Sequence, residues 1–216
     1  MNATTSLHAV LIADVVASRS SARLRPSLNE KLRIATIAHL DERLIRVPYS
    51  VTAGDEFQVV AAHLDRIPKL ILDLRRRTLP FRLRIGVGLG TVEGQIRRPV
   101  NRIAGEAFEN ARKAIMEIKS TRKYPTLTRF HSERKIFNDL ANLIYGLHDT
   151  LLRRTTTKQW DTIATYLIKN RVDYTAKALG IDRSTASRNL RRGFFWQMED
   201  TVVVMEELIR EFFKDA

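Results

Sequence analysis

The chain has 216 residues, 44% of them hydrophobic, enough for one solid core with a smaller satellite unit. It carries no cysteine, which excludes a disulfide framework and a thiolate zinc site and points to a reducing cytoplasm; its five histidines are scattered without metal-ligand spacing. A net charge of +13 favours polyanionic partners such as DNA, RNA or nucleotides over an ordinary basic surface.

The first element expected is a buried strand over 7–16, within H-A-V-L-I-A-D-V-V-A at 8–17, whose one acid is Asp14. No basic start precedes this stretch and Asp14 interrupts it well short of a span, so no membrane segment is expected. Ser18 to Ser21 read as a polar turn, and Pro26 opens a helical pattern through Leu28, Leu32, Ile34, Ile37, Leu40, Leu44 and Ile45. Residues 48–61 form a hairpin with Gly54, Asp55 and Glu56 at its tip, and a second helix over 63–78 ends in Arg75, Arg76 and Arg77. F-R-L-R-I-G-V-G-L-G at 81–90 reads as a third main strand or hairpin arm. A helix at about 103–119 and a short strand at 126–130 follow.

This order predicts an α+β fold of the ferredoxin-like βαββαβ type, in which the second hairpin strand lies antiparallel beside the first strand of the chain. The hairpin tip then falls next to the end of the first strand, and Asp14 and Asp55 become neighbours. An acid in an apolar strand is costly to bury without a cation or several hydrogen bonds. Two such acids are the minimum for placing a divalent metal on nucleotide phosphates. Each also has a purely structural reading: Asp14 as a strand-end acid satisfied by backbone N–H groups, and Gly54-Asp55 as a common hairpin connection. Gly86, Gly88 and Gly90 leave one strand face bare so that a base or another backbone can approach, or else mark a bulge.

A helix over 133–152 leads to Thr155, Thr156 and Thr157, a polar break suited to capping the next helix, and 157–213 reads as all-helical. The domains expected are therefore 1–131, a connecting helix at 132–156, and 157–216. Within the last, Y-T-A-K-A-L-G-I-D-R-S-T-A-S-R-N-L-R-R at 174–192 has helix-turn-helix spacing: Ala176 allows a close crossing, Gly180 turns, Ile181 fills the core, and Asp182 or Ser184 caps the second helix. Ala186 and Leu190 form that helix's buried edge. Arg183, Ser184, Thr185, Ser187, Arg188, Arg191 and Arg192 are the expected DNA contacts, for base edges and phosphates. Trp160, Ile163, Ala164 and Leu167 are the core face of a supporting helix. The alternative is a trihelical dimerisation bundle with solvated arginines. In the last stretch, Phe194, Phe195, Trp196, Val203, Met205, Leu208, Phe212 and Phe213 exceed what one small unit buries and are expected to seal a homodimer.

The motifs A-D-V-V-A-S-R, T-A-G-D-E-F-Q, R-I-G-V-G-L-G and G-E-A-F-E-N-A-R, in this order, resemble the SatD family. That family is similar to the palm domain of nucleotide cyclases and GGDEF diguanylate cyclases, here over about residues 7–130, followed by a C-terminal helix-turn-helix. The resemblance implies Asp14 and Asp55 as catalytic and metal-binding acids, with Mg²⁺ or Mn²⁺ and a nucleoside triphosphate as cofactors. It matches Glu56 and Phe57 to the trailing E-F of GGDEF and places Arg19, Gly54, Glu56 and Arg112 at the nucleotide, with Arg19 pairing phosphate. This chain departs from the pattern in having Val51 where adenine-selecting cyclases have a lysine and Ala53 for the first glycine of GGDEF. On the late helix it has Glu109 and Lys113 at the asparagine and arginine positions, with Asn110 and Arg112 one residue displaced. The function expected is a nucleotide- and metal-binding, DNA-binding regulator. An active nucleotidyl cyclase or oligonucleotide synthase using two metals is the alternative, and a structural adaptor with a degenerate palm a third reading.

Overall fold

The structure, a computed structural model, describes residues 6–16, 25–53, 55–96, 103–121 and 126–214. It is mixed α and β. The strands are β1 (His8–Val15), β2 (Ser50–Ala53), β3 (Glu56–Val60), β4 (Leu83–Gly90) and β5 (Thr128–His131). The helices are α1 (Arg25–Asp41), α2 (Ile67–Arg77), α3 (Glu106–Ser120), α4 (Lys135–Arg154), α5 (Thr157–Lys169), α6 (Val172–Leu179), α7 (Arg183–Arg192) and α8 (Phe195–Phe212). No helix among the described residues is long and apolar enough to cross a membrane.

One sheet runs β2-β3-β1-β4-β5. β1 is antiparallel to both neighbours, with Ala13 opposite Phe57 on β3 and Asp14 opposite Arg84 on β4. β5 lies parallel to β4, and α3 is the crossover that parallel pairing requires. β1 is central and apolar on both faces because both faces are covered. Ala9, Leu11, Ala13 and Val15 enter one core with α1, α2, α4 and α8, while Val10 and Ile12 enter a second core under α3.

The bare strip on β4 has a definite occupant. A Cβ at Gly88 would stand 2.1 Å from the Ala107 carbonyl oxygen and 2.2 Å from the Ala111 nitrogen, and one at Gly86 would stand 2.5 Å from the Ile115 nitrogen. The backbone of α3 therefore lies directly on the strand, helped by Ala107, Ala111 and Ala114. Of the two approaches left open by the glycine pattern, a base or another backbone, the second is realised.

In α1 the buried row is Leu28, Leu32 and Ala35, whereas Ile34 and Ile37, in the same apolar pattern, lie off that row and are exposed. Thr156 caps α5 through a full capping box: its hydroxyl accepts from the Gln159 N–H at 3.4 Å and its own N–H donates to the Gln159 side chain at 2.8 Å. A third core joins Leu152, Ile163, Leu190, Phe195 and Met198.

α8 serves two cores. Phe195 and Met198 stay with the C-terminal helices, while Met205, Ile209 and Phe213 reach the core between the sheet and α2 and α4. The Arg134 guanidinium donates to the Phe212 carbonyl and lies 4.8 Å over the Phe213 ring. Phe195, Met205 and Phe213 are thus buried within the chain itself. Of the residues expected to seal a dimer, Trp196 and Val203 remain among the exposed large hydrophobics.

Two ionic clusters, the first half-buried and the second buried, tie helices to this frame. Asp73 accepts from His39 Nε2 at 2.8 Å and from Arg76 and Arg77. Burial alone would raise the Asp73 pKa, but those hydrogen bonds outweigh it and hold the carboxyl well below the usual range. Asp149 on α4 accepts the N–H groups of Leu127 and Thr128 at 2.7 and 2.6 Å and pairs with Arg75 at 3.2 Å. Burial again opposes ionisation, and Arg75, His148 and the Leu127 N–H again prevail, so its pKa is lowered.

Candidate functional site

The sheet places Asp14 and Asp55 side by side. Asp55 follows β2 at the hairpin turn, and its Oδ2 accepts the N–H of Val15, one residue after Asp14, at 3.0 Å. Glu56 opens β3. Arg19 and Gly54, assigned to nucleotide by the family resemblance, lie outside the described residues.

The partners of Asp14 and Glu56 are cations of the chain itself. Buried Asp14 accepts from Arg84 Nε at 2.7 Å on one oxygen and from Lys119 Nζ at 2.7 Å on the other. Arg112 Nη1 lies 2.8 Å from both oxygens of Glu56, and Lys119 Nζ is also 3.6 Å from Glu56. Asp14 and Glu56 are therefore held by three cations, with Lys119 between the two where a bridging cation would sit, while Asp55 is held by the Val15 N–H. Among the described residues no group of three or more His, Asp or Glu side chains could hold a metal ion. A divalent ion needs several free oxygens, and both Asp14 oxygens are taken. The donors as arranged do not fit one.

Arg112 was expected at a nucleotide and here holds Glu56 instead. Asn110, displaced by one from the cyclase position, donates to the Leu89 carbonyl at 2.8 Å and fixes α3 to β4. The α3 backbone closes the glycine strip against a base. Sequence reasoning missed Arg84 and Lys119. Arg84 was within reach of it, since an antiparallel neighbour of β1 must set some β4 residue opposite Asp14. Lys119 left no such signal, because its place depends on how closely α3 descends onto the glycines.

The second candidate region lies on α6 and α7. Gly180 ends α6 in the left-handed conformation at φ 62°, and the Ile181 N–H returns to the Ala176 carbonyl at 3.1 Å. Asp182 occupies the N-cap position of α7 but makes no side-chain capping hydrogen bond. Ala186 and Leu190 are buried against α5, where Asn189 donates to the Thr162 hydroxyl at 3.1 Å. Arg183, Ser184, Ser187, Arg188, Arg191 and Arg192 are exposed and Thr185 is half-buried. Among the described residues none of the four arginines is paired with a carboxylate. On α5, Ile163 is buried, and Trp160 and Leu167 pack partly against the same core.

No curated protein matches the chain. Among solved structures it is similar to the crystal structure of a regulator of polyketide synthase expression from Bifidobacterium adolescentis, at 14% identity and a TM-score of 0.27, covering 96% of this chain and 87% of that one. The SatD family matches residues 8–189, a span that takes in the whole sheet, the Asp14 and Asp55 pair and α7 up to Asn189, and the chain belongs to that family.

Proposed function

We propose that the protein is a DNA-binding regulator in which α6 and α7 form a helix-turn-helix and α7 enters the major groove. The observation that carries this reading is the division of α7 into one narrow buried edge, Ala186 and Leu190, and an outer face with four unpaired arginines. Exposed guanidinium groups without carboxylate partners are free to take phosphates and guanine edges. Arg183, Ser184, Thr185, Ser187 and Arg188, in the first turns, would read bases; Arg191 and Arg192 would hold the backbone. In this reading residues 1–131 form a palm-like body, 132–156 connect, and 157–216 carry the DNA contacts.

Binding to a random-sequence duplex, followed by fluorescence anisotropy across salt, tests it. The full chain should bind with a steep salt dependence, and replacing Arg191 and Arg192 together by alanine should lower affinity more than about tenfold and flatten the logarithmic salt slope by about 2. Equal binding by the variant and the unmodified chain would sink the proposal.

A second reading is favoured by the convergence of Asp14 and Asp55. It is a nucleotidyl cyclase or oligonucleotide synthase, or a nucleotide sensor, with Mg²⁺ or Mn²⁺ and a nucleoside triphosphate. It requires Lys119 and Arg84 to release Asp14. Mass-spectrometric analysis after incubation with Mn²⁺ and each triphosphate separates its branches: a cyclic or linked product that disappears in Asp14→Ala supports the enzyme, and unchanged triphosphates remove the enzyme and leave a sensor or an adaptor.

We further propose that the protein is a homodimer joined through α4. Ile136, Leu140, Leu143 and Leu147 are 40 to 67% exposed and recur at spacings of four, three and four, the seam of a helix pair. A stripe of this kind is self-complementary, so a second copy of the chain is its natural occupant. A two-fold axis there would present two copies of α7 to a palindromic operator.

A further inference from the structure

A cavity of about 260 Å³ opens between the α2–β4 connection, the end of α4 and the first turns of α5. Leu79, Phe81, Leu152 and Trp160 give it apolar walls, and Arg75, Thr155 and Thr157 give it polar ones. Arg75 is only 4% exposed. Its Nη2 is committed, donating to the Thr128 hydroxyl at 2.7 Å and pairing with Asp149 at 3.2 Å. Its Nε and Nη1 are buried and have no hydrogen-bond partner. A guanidinium fixed at one nitrogen and unsatisfied at the other two is an expensive arrangement unless something supplies acceptors.

We propose that this cavity binds a small amphipathic carboxylate, with its acid group directed at the buried, unsatisfied donors of Arg75 in the cavity wall and its apolar body against Phe81 and Trp160. A carboxylate offers paired acceptor oxygens in one plane, which suits the planar donor set of arginine. Arg75 is already paired with Asp149, and Asp161 lines the cavity beside exposed Arg82, so a single carboxylate suits the site better than a phosphate dianion. The volume falls just under that of drug-sized pockets, which limits the ligand to about one ring and a short arm. This site shares no residue with the Asp14 cluster or with α7, and the proposal stands whether or not the protein binds DNA.

Trp160 reports on the cavity once the other tryptophan is removed as Trp196→Phe, a replacement at an exposed position. In that background, benzoate and phenylacetate should change the Trp160 emission saturably and raise the melting temperature, while benzamide and phenylacetamide at the same concentrations should bind at least tenfold more weakly. Arg75→Lys, which keeps the charge but loses the Nε and Nη1 donors, should weaken the carboxylates tenfold or more. Should that variant not fold, Thr157→Phe, at an exposed position at the cavity wall, carries the test by obstructing the site and weakening the same ligands. Saturable binding with these losses supports the proposal. No response up to about 10 mM, equal affinity for acids and amides, or affinity unchanged by obstruction would overturn it.

Discussion

At the scale of the residue, Asp14 is the clearest case of a buried acid answered from within the chain. It is held by Arg84 and Lys119 on separate oxygens, and each partner keeps some contact with solvent. Replacing it by alanine would leave Arg84 and Lys119 without their shared acceptor, at a cost of about 2 kcal/mol, below that for a fully buried pair. Lys119→Met should cost less, since Arg84 remains, and a double-mutant cycle of the two should give a coupling of about 1 kcal/mol in urea unfolding. The cations beside these acids govern metal access. Manganese should leave the melting temperature of the unmodified chain unchanged, and in the double variant Lys119→Met, Arg112→Ala, where one Asp14 oxygen and both Glu56 oxygens lose their cations, it should raise it by about 4 °C at ten times Kd. Acid sensitivity comes from other aspartates. Asp73 and Asp149 both have carboxyls held below their unfolded range, so each contributes stability that is complete above about pH 4 and lost as pH falls toward the folded value. Denaturant midpoints measured between pH 6 and pH 3 should fall with acidification, and less steeply in Asp149→Asn.

At the scale of the element, the contact of β4 with α3 sets the geometry of the acidic cluster. Gly88→Ala would push a methyl group to within 2.1 Å of the Ala107 carbonyl and 2.2 Å of the Ala111 nitrogen, both backbone atoms that cannot turn aside. We expect a loss of about 3 kcal/mol or more in urea unfolding, and a weakened Asp14–Lys119 pair, because α3 must rise from the strand to make room. This contact also explains what was legible in the sequence. Strand order and the meeting of Asp14 with Asp55 follow from the alternation of element types, since a hairpin placed after a strand and helix has few places to go. The partners of those acids were hidden because they depend on a separation between helix and strand, which element order does not encode. The same limit hid the path of α8. Its apolar pattern announced more surface than a small helical unit needs, and the surplus went back to the core beside α2 and α4 rather than outward.

For the whole molecule, the question is which apolar surface remains once every helix has packed. α8 has largely spent its aromatic residues within the chain, and the long exposed row is that of Ile136, Leu140, Leu143 and Leu147 on α4. The buried side of α4 carries Phe137, Ala141, Tyr145 and Asp149, so the helix is already anchored and its outer row can change without opening the core. Leu143→Glu combined with Leu147→Glu would set four carboxylates across a two-fold seam, where unpaired charge is costly. Light scattering should then report a dimer for the unmodified chain and a folded monomer for the variant, with unchanged circular dichroism and a melting temperature lowered only by the lost association. The consequence for DNA is separable from the arginine contacts. A monomer retains α7 intact, so binding to a single half-site should persist, while affinity for a palindrome should fall by about a hundredfold or more as the second half-site ceases to act at high effective concentration. A variant that remains dimeric would place the interface elsewhere, and a monomeric unmodified chain would leave the α4 row without this role.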